Sequence, residues 1–230
     1  MPATPRGESR GTQTLPLFPL GTVLVPGMPL SLHIFEPRYR QLVADLLSDE
    51  SPQPPVFGVV ALRRGWEVGA VGDVHDVGTT ARVTNLVQHP DGRCDLAAIG
   101  EDRFAIEWLD TASQPYLTAS VRYLPEADGP LDNSAAPAVR RAWHAHLRAL
   151  DALSPGQLTS ESPELSGQAL SYAVAQLPSL PILDRQLLLT CSDAATRLAA
   201  ARKILRRETI LLRTLRAVPA TAATFRTGPS

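Results

Sequence analysis

From Leu15 to about Glu126 the apolar residues fall in short runs broken by Gly and Pro, among them LPLFPL, TVLVPG, LSLHIF, VFGVVAL, ARVTNLV and YLTASVRYL. Runs of this length between turn residues predict strands. Period-two alternation sharpens late in this half. Phe104, Ile106 and Trp108 are expected on one face, with Arg103, Ala105 and Glu107 on the other. Leu117, Ala119, Val121 and Tyr123 are expected inward, with Thr118, Ser120 and Arg122 outward. Asp91-Gly92 predicts a hairpin turn, because Gly tolerates the positive φ a tight turn requires. One helix interrupts the strands. In EPRYRQLVADLLSD, Pro37 fits a first helical position, and Tyr39, Leu42, Val43, Leu46 and Leu47 form the expected inner stripe.

After LPEADGPLDNSAAP the period becomes helical. One helix is predicted from Ala138 to Leu153, and a second from Ser162-Pro163-Glu164 to about Leu177. A third starts in PILDRQLLLT, and a fourth, capped by Ser192-Asp193, runs through AATRLAAARKILRRETILLRTLRA. The fold class is therefore read as α+β: a compact barrel-like sheet domain over 15–126, then a four-helix bundle over 127–217. Segments 1–14 and 218–230 are small, polar and rich in Pro or Gly, and read as disordered tails.

Composition changes this picture little. With 44% apolar and 20% charged residues and a formal net charge of −1, the chain has no global field to draw in nucleic acid or an anionic membrane. Cys94 and Cys191 form no C-x-x-C pair, which fits a reducing cytosol. The N-terminus lacks the apolar run of a secretory signal, and no window approaches a membrane span, so a soluble cytoplasmic protein is expected.

The runs LPLFPLGTVLVPGMPLSLHIFEPRYRQLV, FGVVAL, VGDVHDVGTTARV, DGRCDLAAIGEDRFAI, PYLTASVRYLPE and LPILDRQLLLTCSDAATRLAAARKIL together resemble the Lon N-terminal domain family. That family is the substrate-binding region of the ATP-dependent protease Lon, and it also occurs free-standing. The likeness covers roughly Leu15 to Arg216. The HIFEPRYR form looks closer to the stand-alone versions than to full-length Lon. The resemblance implies a PUA-like β pseudo-barrel with one inserted helix, followed by the helical bundle. It also implies binding of unfolded or peptide segments, or of a protein partner, at the sheet domain's edge and the cleft beside the bundle.

Neither Lon engine is legible. A phosphate loop needs G-x-x-x-x-G-K-[ST]; Gly69-Ala70-Val71-Gly72 is a glycine pair without the lysine. A Ser–Lys dyad needs a desolvated lysine, and the only lysine, Lys203, sits in the arginine-rich AARKILRRE. His144 and His146, two apart on one helix, point to different faces, and His33, His75 and His89 read as isolated. Cys191 reads as buried and inert; Glu36 and Glu101-Asp102 show no evident partner. No catalytic residue, metal site or cofactor is expected, and the oligomeric state is left open.

Two surfaces remain as binding candidates. The first combines Phe18, Leu24, Pro26 and Met28 of FPLGTVLVPGMPL, read as exposed at the barrel edge, with Phe35, Arg38 and Tyr39 of HIFEPRYR as a ligand rim. A structural reading of HIFEPRYR, a strand end followed by a helix start with an arginine paired to a nearby acid, competes with that role. The second is the last helix, where Arg197, Arg202, Lys203, Arg206, Arg207, Arg213 and Arg216 face a single acid, Glu208. Its apolar side is read as Leu198, Ala201, Leu205, Leu212 and Leu215, with Ile204 and Leu211 alongside. A solvated basic face is expected there. The alternative is an RNA- or nucleotide-binding module that uses the PUA-like barrel the resemblance implies together with this basic helix, where Arg202, Arg206, Arg207 and Arg213 contact nucleic acid.

Overall fold

The strands predicted by alternation form one six-stranded sheet in the order β2-β5-β4-β3-β1-β6, where β1 is Gln13–Leu20, β2 Pro29–Ile34, β3 Val56–Ala61, β4 Val77–Gln88, β5 Cys94–Asp110 and β6 Leu117–Tyr123. The computed structural model describes residues 12–48, 51–63, 73–130, 132–153, 165 and 167–215. The expected tails fall mostly outside these, although β1 begins two residues before Leu15. Two compact units result, Met1–Pro125 and Glu126–Ser230.

In the sheet unit, β1 pairs with β3 in parallel and with β6 antiparallel, and β6 also pairs with β5. These ladders close β1, β3, β4, β5 and β6 into a barrel. The 17-residue β5 is long enough to serve two ladders: its second half pairs with β6, and its first half carries β2 as an outlying edge strand. Between β4 and β5 the turn places Gly92 at φ 82°, as Asp91-Gly92 predicts, and His89 N–H donates to the Arg93 carbonyl at 2.8 Å.

Two apolar clusters fill the unit. Leu15, Leu17, Val60, Phe104, Leu117 and Val121 occupy one. Helix α1 (Pro37–Ser48) covers the other, where Tyr39, Leu42 and Val43 meet Phe18, Phe57 and Leu96. Phe104 is fully buried, and two glycines make room for the tip of its ring. A Cβ on Gly58 would come within 2.9 Å of the Phe104 ring, and one on Gly78 within 2.5 Å.

Several expected orientations fail. Trp108 is 63% exposed, because the β5–β6 register shifts between Ile106 and Trp108 and breaks the alternation. Arg103, expected outward, is buried. The chain after β6 folds over it: the Leu124 N–H donates to its carbonyl at 2.8 Å, and its Nη2 donates to the Pro125 carbonyl at 3.0 Å. Leu47 is exposed, since at 100° per residue it lies at the margin of the stripe that Tyr39, Leu42, Val43 and Leu46 already fill.

The helical unit contains α2 (Ala135–Asp151), α3 (Gly167–Ala175), α4 (Ile182–Thr190) and α5 (Ala194–Leu215). The predicted start of the second helix, Ser162-Pro163-Glu164, lies outside the described residues. Asp193 caps α5 as expected, its Oδ1 accepting the Thr196 N–H at 2.7 Å. Leu211 and Leu215, read as apolar-side residues of this helix, are exposed instead near its C-terminal end.

The core of this unit is partly polar. Arg197, expected among the solvated cations, is fully buried. Its guanidinium donates to the Leu188 carbonyl at 3.0 Å and the Ser171 hydroxyl at 3.2 Å, lies 4.0 Å over the Tyr172 ring, and sits 3.6 Å from Glu126. Tyr172 in turn donates its hydroxyl proton to Glu126 at 2.5 Å. A buried arginine persists only when its donors are met, and these partners meet them.

Candidate functional site

The exposed apolar edge expected at FPLGTVLVPGMPL is not where the sequence pattern put it. Phe18 lies in β1, flanked by β3 and β6, so it is an interior-strand residue; it stacks on Tyr39 with centroids 4.1 Å apart and is buried. Leu24 is buried in the same cluster, and so is Tyr39, which removes three of the seven candidates from the surface. Pro26 and Met28 are partly buried. Their loop is tied to β5 by backbone hydrogen bonds from Gly27 N–H to the Gly100 carbonyl at 2.8 Å and from Gly100 N–H to the Met28 carbonyl at 2.9 Å.

The open edge of the sheet is β2. It pairs with β5 from Pro29↔Ile99 to Ile34↔Cys94, and among the described residues no strand pairs with its other side. Leu30, Leu32 and Ile34 point toward the α1 cluster, while Ser31 and His33 face outward. Phe35 follows directly and is 60% exposed, an unusual setting for a large aromatic side chain. Beside it, Arg38 donates from Nε to Glu36 at 2.9 Å and lies 4.6 Å over the Tyr39 ring. Burial raises the Tyr39 phenol above its ordinary range, with the nearby Arg38 charge opposing that rise. The structural reading of HIFEPRYR thus accounts for Glu36, Arg38 and Tyr39, and leaves Phe35 as the accessible group.

Sequence reasoning missed one constellation on this face. His33, on β2, and His89, at the β4–β5 turn, are not isolated: His33 Nδ1 bonds Asp95 Oδ1 at 2.6 Å, and His89 Nε2 bonds Asp95 Oδ2 at 2.7 Å. The hydrogen bonds from His33 and then His89 hold the Asp95 carboxyl below the usual carboxylate range. The ring of His33 stands 6.3 Å from that of Phe35. Only the β2–β5 register, His33↔Asp95, reveals this grouping. Among the described residues no three His, Cys, Asp or Glu side chains are arranged to hold a metal ion. The carboxylates read as partnerless also have partners: Glu36 pairs with Arg38, and Glu101 with Arg82 at 2.6 Å.

A cleft of about 290 Å³ opens elsewhere in the sheet unit, lined in part by Gln13, Gln53, Glu101, Asp102 and Tyr123. Its polar groups are largely used within the protein: Tyr123 donates to Gln13 at 3.1 Å, and Arg82 occupies Glu101. In the helical unit, Arg202, Lys203, Arg206 and Arg213 are exposed on α5. Arg207 is committed to Asp184 of α4 and to Glu208, whose acceptors raise its pKa.

A barrel with an added edge strand and a following four-helix unit defines an α+β domain of the PUA-like pseudo-barrel type. Residues 14–207 match the family described as the ATP-dependent protease La (LON) substrate-binding domain, and the chain belongs to that family. It is 28% identical over 172 residues to a Lon protease of Flavobacterium johnsoniae, covering 74% of this chain and 19% of that protein. It is also 28% identical to a Lon protease of Phenylobacterium zucineum, covering 83% of this chain and 25% of that one. The chain therefore spans about a fifth to a quarter of the length of these curated relatives. Among solved structures, a Lon N-terminal domain protein from Xanthomonas campestris aligns with a TM-score of 0.57 at 26% identity, covering 81% of this chain and 95% of that one. The N-terminal domain of Mycobacterium avium complex Lon protease shares the fold, with a TM-score of 0.57 at 17% identity, covering 84% of this chain and 98% of that one. No helix among the described residues is long and apolar enough to cross a membrane.

Proposed function

We propose that this chain is a non-catalytic binding protein that captures unfolded or extended polypeptide in the cytosol and serves protein quality control as an adaptor. The observation that carries the reading is the outer edge of β2, which no described strand pairs with and which ends in the exposed Phe35. An extended segment added along β2 gains main-chain hydrogen bonds, which are indifferent to sequence, while Phe35 and the partly buried Met28 favour apolar side chains. Membership of a substrate-binding family agrees with this role. The absence of catalysis is supported by the missing phosphate-loop string and by the exposure of Lys203 on α5.

The test is fluorescence anisotropy with reduced, carboxymethylated α-lactalbumin as the unfolded probe and native α-lactalbumin as the folded control. Binding to the unfolded probe alone is expected, with Phe35→Ala weakening it about tenfold, the scale of one lost aromatic anchor. A photoreactive phenylalanine analogue at position 35 should cross-link to the same probe. Casein should stay intact with and without ATP. Equal affinity for folded and unfolded α-lactalbumin, or cleavage of casein by the purified chain, would overturn the reading.

A further inference from the structure

Helices α4 and α5 leave an outer face that does not resemble an ordinary solvated surface. They run antiparallel. Arg207, late in α5, bonds Asp184 at the start of α4, and Arg197, early in α5, donates to the Leu188 carbonyl near the end of α4. Their inner sides bury Leu188, Leu189, Leu198 and Leu205. On the outer side, Leu183 and Leu187, one turn apart on α4, are 71% and 51% exposed, and Ile210 of α5 is 63% exposed. Burying large aliphatic side chains is favourable, so three left in water on adjacent helices represent unused burial.

Charge on the same two helices is one-sided. The side chains of Arg202, Lys203, Arg206 and Arg213 are exposed, and none makes a hydrogen bond or ion pair with another described residue. The two acids within α4 and α5, Asp184 and Glu208, are both engaged by Arg207.

We propose that the outer face of α4 and α5 docks an acidic amphipathic helix of a protein partner. Two antiparallel helices present ridges three and four residues apart, and a third helix fits them with apolar side chains at the same spacing. Leu183, Leu187 and Ile210 supply the apolar floor, while Lys203, Arg206 and their neighbours require carboxylates along the partner's flanks. A nucleic-acid partner is less well served, since α4 and α5 carry no aromatic side chain on which a base could stack. This surface lies wholly in the helical unit and does not depend on the β2 edge.

The experiment uses the full chain and a fluorescein-labelled peptide of about sixteen residues, roughly four helical turns, with leucines at three- and four-residue spacing and glutamates between them. Saturable binding is expected, weakened by added salt. The double variants Lys203→Glu with Arg206→Glu, and Leu183→Gln with Leu187→Gln, should each weaken it about tenfold. These side chains are exposed, so thermal melts should stay close to the parent's. A peptide of the same composition, with leucines at every second position, should not bind. Failure of the helical peptide to bind, equal binding of the respaced peptide, or tighter binding of an RNA hairpin or of phosphatidylserine vesicles would each overturn the proposal.

Discussion

The two units solve burial in opposite ways. The sheet unit encloses Phe104, Leu17 and Val121 in an apolar interior with glycine making room, whereas the helical unit builds its centre around Arg197, Tyr172 and Glu126. An apolar interior is stabilised by area and shape, so it fails by leaving a void. A polar interior is held by satisfied donors and acceptors, so it fails by leaving one of them alone.

Phe104→Ala should give the largest loss in urea melts, toward the upper end of about 3–5 kcal/mol, because a closed barrel collapses poorly onto the cavity. Arg197→Ala should cost about 3 kcal/mol, the low end for a broken buried pair. It strips a partner from the carbonyl of Leu188, but Glu126 keeps a 24% exposed side chain and can rehydrate. A result near zero would mean that the arginine only tolerates its site.

Acid separates the units by a different route. Burial lowers the pKa of His146, on α2, from 6.5 to about 4. The unfolded chain therefore takes up a proton near pH 6.5 that the folded helical unit refuses. Stability should fall as pH drops from about 6.5 to about 4, by about 3 kcal/mol at most, and His146→Gln should flatten that slope. Asp95 of the sheet unit has a depressed pKa, so its contribution is present above about 3.8 and is lost only below that. Trp143, buried one turn from His146, gives a fluorescence signal for the first window once Trp66 and Trp108 are changed to Phe. Smallest of all, Arg82→Ala should cost no more than about 0.2–1 kcal/mol, since the Arg82–Glu101 pair is more than a third exposed.

Local pattern made much of the fold legible. Alternation in LTASVRY placed Leu117, Ala119 and Val121 inward, and Asp91-Gly92 marked the hairpin. Long-range pairing hid the rest. That β1 lies between β3 and β6, and so buries Phe18, depends on partners far away in the chain. The same holds for Arg197: as one cation among seven on the predicted last helix it reads as solvated, and only the fold shows which one turns inward. Of the residues read as binding candidates, Phe35 lies exposed after β2, whereas the His33–Asp95–His89 grouping, absent from that reading, needed the strand register.

The β1–β6 ladder joins Gln13 to Val121 and Leu17 to Leu117, so the opening strand of the barrel is secured on one side by its last. A ribosome must therefore release nearly the whole sheet unit before that seam can close. Until then LPLFPL has only β3 to pair with and keeps its other side open in the exit stream, and the slowest event in maturation is expected to be the meeting of the two ends rather than the formation of any hairpin between them.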